Sequence, residues 1–315
     1  MQHRIPTDRL GPRGDAMAEA VGACVHCGFC LPTCPTYRTL GDEMDSPRGR
    51  ITLMKGVLEG ELDLDESVPY IDRCLGRLAC VTSCPSGVEY GDLLSSFKAH
   101  AEPRRRRSRR DRLLRSLLIG TVTRPGRLRW AARFAGLGRI LEGVLPAPLA
   151  AALDLMPRTL PSAAPLPSVV PARGPRVARV ALLRGCAQDV LAPGITRAAA
   201  AVLARRGVEV LIPEGQGCCG ALAFHAGDDQ TALRQAAKLV DAVPTGVDAV
   251  LTTAAGCGSG VNDYPLLFAG RPDAASAEAV ADRSQDITAF LDRLDPHPTK
   301  TRRPVVATYQ DACHL

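Results

Sequence analysis

Past residue 176 the chain alternates short apolar runs with stretches of helical periodicity. VARVALLRG (177–185), VEVLIPE (208–214), DAVLTTAAG (248–256) and PVVATYQ (304–310) are compact, rich in valine, and bounded by Gly, Pro or Asp, so they read as buried strands. Residues 190–206, 228–242 and ITAFLDRL (287–294) read as helices between them. Such alternation predicts parallel βαβ units with helices on both faces of a sheet.

Residues 101–160 carry another pattern. Leu113, Leu114, Leu117 and Leu118 alternate with Arg112 and Arg115, and Trp130, Phe134, Leu137 and Leu141 fall on one helical stripe with Arg129 and Arg133 off it. Apolar residues on one side and Arg on the other fit a helix lying on an anionic membrane surface, where each Arg contributes about 1 kcal/mol. They equally fit an amphipathic helix packed on a partner subunit or on the chain's own core. Residues 161–176, PSAAPLPSVVPARGPR, form a Pro-rich stretch expected to be an extended, solvated linker. The organisation expected is therefore 1–100, 101–176, 177–303 and a last block, 304–315, that begins a new strand.

Composition narrows this picture. A chain of 315 residues can hold two domains. Its net charge of +6 is local: residues 104–139 hold thirteen Arg, no Lys and one acid, Asp111, a total of +12, which leaves the rest at −6. One basic stretch with little aromatic interleaving on an otherwise acidic chain argues against a nucleic-acid binder and for a surface contact. Residues 1–15 lack the apolar run of a signal peptide, and no stretch reaches the ~20 apolar residues of a membrane span. A cytoplasmic chain is expected, peripheral at most on the inner face of the cell membrane.

The twelve cysteines carry the chemistry. The first run is Cys24-x2-Cys27-x2-Cys30-x3-Cys34-Pro35, the bacterial iron–sulfur ligand run whose fourth cysteine reaches the other cluster. The second is Cys74-x5-Cys80-x3-Cys84-Pro85, with Arg77 where an eighth cysteine is expected. Crossed ligation assigns Cys24, Cys27, Cys30 and Cys84 to cluster 1, and Cys34, Cys74 and Cys80 to cluster 2. Arginine stays protonated and has no lone pair to give. A 3Fe–4S cluster, or a 4Fe–4S cluster with water or a small molecule as fourth ligand, is expected there; a damaged cluster is the alternative. Zinc quartets also use thiolates, but the x2-x2-x3-Cys-Pro run is the iron–sulfur one. His26, between two ligands, is expected to face solvent rather than to donate.

A second set is Cys186, Cys218-Cys219-Gly220 and Cys257-Gly258-Ser259-Gly260, each just past a strand, where open α/β sheets place ligands. Adjacent cysteines rarely pair with each other, so Cys218 and Cys219 suit a metal cluster or a reactive centre, with buried free thiols as the plainer reading. A final CxxC cysteine is missing at Gly260. Cys313 opens the same pattern again.

These residues together resemble the iron–sulfur subunit of bacterial glycolate oxidase (glycolate dehydrogenase). CVHCGFCLPTCPTYRTLGDEMDSPRGRI, IDRCLGRLACVTSCPSGVEYG, GCCGALAFHAGD, AAGCGSGVNDY and YQDACHL carry the resemblance. Iron–sulfur subunits for lactate and glycerol-3-phosphate oxidation, and heterodisulfide reductase, share the motif set. The resemblance implies an α+β multidomain chain: a mostly helical two-cluster 4Fe–4S ferredoxin-like domain, then a Rossmann-like α/β cysteine-rich CCG domain, and from 304 a second, truncated one. It implies two iron–sulfur clusters and no flavin on this chain. FAD-binding partner subunits would oxidise glycolate, and this chain would pass electrons to a membrane quinone. It maps Cys186, Cys218, Cys219 and Cys257 to the first CCG domain, a possible further cluster site, and Cys313 to the second. A thiol–disulfide protein of the heterodisulfide reductase kind is the second reading, and a truncated, non-catalytic product the third.

Overall fold

The computed structural model describes residues 1–140, 145–161 and 166–294, together with 306 and 308. Its first core is helical. Gly14–Ala23, Pro47–Glu59, Leu64–Asp72 and Tyr90–Ala101 pack around Met17, Val21, Met54, Ile71, Leu93 and Phe97. Local chemistry sets the helix ends. Ser46 accepts a hydrogen bond from the Gly49 N–H, and Pro47 occupies the first turn, where its missing N–H costs nothing. Gly60, left-handed at φ 77°, closes that helix. Pro35 likewise opens the short helix Pro35–Leu40 directly after Cys34.

The second core is built on a five-stranded sheet. Its strands are Val169–Val170 (β1), Ala178–Leu182 (β2), Val208–Leu211 (β3), Ala249–Thr252 (β4) and Ser284–Asp286 (β5), in the order β1-β3-β2-β4-β5. β2 pairs in parallel with β3 and β4, β4 in parallel with β5, and β1 antiparallel with β3. Alternate residues of β2 enter opposite cores. Val180 and Leu182 pack with Leu203 and Phe290, from helices Gly194–Arg205 and Ile287–Asp292. Ala181 packs on the other face with Leu239, Val261 and Val280, from helices Asp229–Ala242, Ala255–Asn262 and Ala274–Ala281. Burial on both faces is why these strands read as unbroken apolar runs.

Several expectations need correcting. The strands are shorter than the apolar runs: residues 183–186 leave the sheet as a loop, and Ala255 and Gly256 of the third run already begin a helix. The linker is not wholly solvated, because Val169 and Val170 pair with Leu211 and Val210. β5 escaped the sequence reading because its residues, Ser-Gln-Asp, are polar and only half-buried at the sheet edge. The 304–310 run lies, apart from Val306 and Thr308, outside the described residues, as does Cys313.

The Arg-rich region forms helices Arg109–Val122 and Pro125–Ile140. Their apolar residues divide between two sides. Ile119 packs against the sheet core, and Leu128, Ala132 and Ala135 are buried. Leu113, Leu117, Trp130 and Phe134 face outward, the two rings 4.4 Å apart. The Leu137 side chain and Leu141 lie outside the described residues. Several arginines are engaged within the chain: Arg105 pairs with Asp72 at 2.6 Å, Arg107 with Glu102 at 2.8 Å and Arg115 with Glu102 at 3.8 Å. Among the described residues no helix is long and apolar enough to cross a membrane.

One arginine ties the two cores. The Arg13 guanidinium sits 2.7 Å from Asp229, donates to the Leu266 carbonyl at 3.0 Å and lies over the Phe224 ring.

Candidate metal-cluster sites

Six of the seven N-terminal cysteines sit in loops between the helices or at helix ends, and Cys80 sits in the short helix Ala79–Thr82. Two of these loops hold the only non-glycine residues with left-handed backbone among the described ones, His26 at φ 59° and Leu78 at φ 56°. Such conformations cost of order 1 kcal/mol or more and cluster where a loop must wrap a ligand. His26 is exposed, as expected, and its carbonyl accepts a hydrogen bond from Arg48 at 3.0 Å.

Two cavities open between the loops. The first is lined by Cys24, Cys27, Cys30 and Cys84, and also by Cys80 and Tyr90, which line the second as well. The second is lined by Cys34, Cys74 and Cys80, together with Arg77, Gly76 and Arg50. Cys84 thus stands with the first run and Cys34 with the second, the grouping that crossed ligation requires. Among the described residues no three donors already converge on a single ion's position. A single ion needs its sulfurs about 2.3 Å from one point. An iron–sulfide core is wider, and thiols spread round a cavity suit it better.

The sulfurs differ in what they receive. Cys34, buried, lies 3.1 Å from the Thr36 hydroxyl and 3.8 Å from an Arg50 guanidinium nitrogen. The Tyr90 hydroxyl donates to Cys74 at 3.7 Å, and burial pushes that phenol's pKa up so that it keeps its proton. Cys84 accepts from the Val88 N–H at 3.5 Å. Burial alone would raise the Cys84 thiol, but the bonds from Val88 and Ser86 bring it below the ordinary value. Burial, and then the neighbouring Cys74, push Cys80 up to about 12. Burial of this kind favours the neutral thiol until a cation or cluster arrives to compensate the thiolate.

The C-terminal set lies at the carboxyl ends of three adjacent strands. Cys186 follows β2, Cys218 and Cys219 follow β3, and Cys257 lies in the first turn of Ala255–Asn262 after β4. The Cys186 thiol donates to Cys218 at 3.4 Å, and Cys186, Cys219 and Cys257 line one small cavity. The bond to Cys218, then burial, hold Cys186 above the ordinary thiol value. The bond from Cys186 lowers Cys218, but its bond to Cys219 and burial outweigh this and push it to about 12. The Tyr264 hydroxyl, fully buried, donates to the Cys219 carbonyl at 2.9 Å and fixes the turn. Gly220 is left-handed at φ 88°, and a Cβ there would meet the Ala232 carbonyl at 2.8 Å, so no other residue fits after the cysteine pair. Gly260 has a packing reason as well. A Cβ there would stand 2.2 Å from that of Ala221, so a cysteine at this position would force the two helices apart.

Sequence reasoning missed Arg50, Tyr90 and Tyr264. Each is a common residue type on a helix or helix start, and only the fold turns it toward a sulfur or a cysteine's backbone.

Two family models match the chain: a 4Fe-4S dicluster domain over residues 20–88 and a cysteine-rich domain over residues 180–262. The glycolate oxidase iron-sulfur subunit of Escherichia coli (strain K12) is 39% identical over 280 residues, covering 88% of this chain and 66% of that protein. The probable glycolate oxidase iron-sulfur subunit of Bacillus subtilis (strain 168) is 36% identical over 323 residues, covering 93% of this chain and 70% of that protein. Lactate utilization protein A of Bacillus pumilus (strain SAFR-032) is 32% identical over 139 residues, covering 44% of this chain and 58% of that protein. The chain thus spans about two thirds of the length of the two oxidase subunits. No solved structure matches it.

Proposed function

Because the chain belongs to the family of glycolate oxidase iron–sulfur subunits, we propose that it is the electron-transfer chain of a flavin-linked 2-hydroxy-acid dehydrogenase acting on glycolate. FAD-binding partner subunits oxidise glycolate to glyoxylate, and this chain relays their electrons toward a quinone-type acceptor. The observation that carries the reading is the pair of cavities, each gathering thiols from both cysteine runs, Cys84 beside the first run and Cys34 beside the second, with Cys80 on the wall of both. Cys24, Cys27, Cys30 and Cys84 hold the first cluster; Cys34, Cys74 and Cys80 hold the second, with Arg77 at the missing fourth position. Once held, such clusters accept and release single electrons. The residues around them exclude water and donate hydrogen bonds to sulfur, which set the potential.

On this reading residues 1–100 are the two-cluster domain and 177–303 a Rossmann-like cysteine-rich domain. The parallel strands with helices on both faces support the latter. The exposed Leu113, Leu117, Trp130 and Phe134 among arginines support a peripheral contact with the inner face of the membrane, where the acceptor resides.

The test is EPR spectroscopy with iron and sulfide counting on anaerobically purified protein. An isotropic signal in the oxidised state marks a three-iron second cluster, and Arg77→Cys converts it to the four-iron form. Colourless, iron-free, folded protein overturns the reading. A heterodisulfide-reductase-like thiol function is the second reading, favoured by the 3.4 Å contact of Cys186 with Cys218 and the shared cavity of Cys186, Cys219 and Cys257. Disulfide-reductase assays separate the two. The match to a lactate utilization protein keeps lactate as an alternative substrate, and glycerol-3-phosphate stands beside it on the shared cysteine motifs; oxidation assays of the assembled complex with each acid decide.

A further inference from the structure

We propose that Arg50 tunes the second site, making it the one of the two that holds the electron. The inference rests on Cys34, Cys74 and Cys80 being cluster ligands, and it adds what the surrounding side chains do to them.

Arg50 is among the most deeply buried side chains of the protein, 1% exposed. Every nitrogen of its guanidinium has a partner. Nη1 lies 3.8 Å from the Cys34 sulfur, and Nη2 donates to the Thr36 hydroxyl at 3.1 Å and to Asp45 at 3.0 Å. Nε donates to the Tyr70 carbonyl at 2.8 Å. The side chain is therefore fixed, with one edge on the sulfur. Asp45, also buried, does not cancel the charge. It accepts two bonds from Arg73 as well, at 2.9 and 2.7 Å, so the three groups leave one positive charge beside Cys34. Lys98 stands with Cys74 in the lining of a neighbouring cavity.

Among the described residues the first site has no buried charge of this kind. Arg48, in its lining, donates to the His26 carbonyl and is paired with Glu43 at 2.8 Å, with both side chains reached by water. The partners of Cys84 are neutral groups, the Val88 N–H at 3.5 Å and the Ser86 hydroxyl at 3.6 Å. A fixed charge in a dry surrounding acts far more strongly than a screened one. Positive charge and hydrogen bonds at the sulfurs stabilise the reduced state and so raise the reduction potential. The first site meets the outside: Cys27 is the only exposed cysteine among the described residues, flanked by exposed Val25 and Phe29. One electron passing from the first site to the second oxidises one and reduces the other, with no bond broken and no proton moved.

The experiment is an EPR-monitored redox titration of the full chain, loaded anaerobically, with iron and sulfide counted in every sample. Arg50→Gln is expected to shift the second site's midpoint to a more negative potential, Arg50→Lys to restore most of it, and the first site to stay where it was. Arg73→Gln changes a half-exposed side chain that the fold tolerates, and is expected to give a smaller shift in the same direction. An unmoved second midpoint in these variants at full iron content overturns the tuning role while leaving the ligand assignment intact. Wild-type protein without iron overturns the ligand assignment itself.

Discussion

The helical half and the sheet half both gather thiols, and they do so by opposite means. In the helical half seven cysteines surround two cavities, six on loops or at helix ends and Cys80 on the short helix Ala79–Thr82, with left-handed residues at His26 and Leu78 bending the chain. In the sheet half four cysteines gather past the ends of three neighbouring strands, Cys186 and Cys218 in contact at 3.4 Å and Cys186, Cys219 and Cys257 around one small cavity. Strand register alone delivers the second arrangement. The first needs something in the middle to hold loops that would otherwise relax.

Metal removal probes this contrast with the largest effect. Stripping iron with a chelator should abolish hydrogen-exchange protection around residues 24–34 and 74–84, while β2 and β4 keep theirs. Equal loss in both halves would break the comparison. Leu182→Ala is the converse. Leu182 is fully buried in the sheet, and its truncation should cost about 3 kcal/mol in denaturant unfolding and speed alkylation of Cys186 and Cys257. Visible absorbance from the helical half should not change. Arg13→Ala attacks the junction. Loss of its partly buried pair with Asp229 and of the Leu266 bond should cost about 2 kcal/mol. Calorimetry should then resolve two transitions where the wild type shows one.

The smallest effect is a pH dependence. Burial, then the neighbouring Asp263 and Glu89, raise the Asp92 carboxyl to about 6. The folded state thus holds this proton more tightly than the unfolded chain, and stability falls as pH rises from about 4 to about 6. Asp92→Asn should flatten that slope and stabilise the protein at pH 7 by about 1 kcal/mol, allowing for screening by water. A slope unchanged by the substitution would place the titration elsewhere.

The cysteine runs were legible because ligand spacing is a local property. Three sulfurs two residues apart can share one tight loop, whatever the rest of the chain does. The buried strands were legible because burial on both faces leaves an apolar run no alternative. β5 was not, because an edge strand of Ser-Gln-Asp has no such signature. In the Arg-rich helices Leu113 and Leu117 of one pattern, and Trp130 and Phe134 of the other, do face outward, whereas Ile119 and Leu128, which the patterns left out, turn inward. Helical spacing fixes which residues share a side; it does not say which side finds a partner.

The amino-acid order by itself determined the two ligand loops, the βαβ alternation and the gap at Arg77, all properties of neighbours along the chain. Only the tertiary structure decided that Gly260 has no room for a cysteine, that Arg50 lies against Cys34, and that Tyr90 turns its hydroxyl to Cys74. These depend on which surfaces of distant helices meet, and close packing, not sequence distance, sets that.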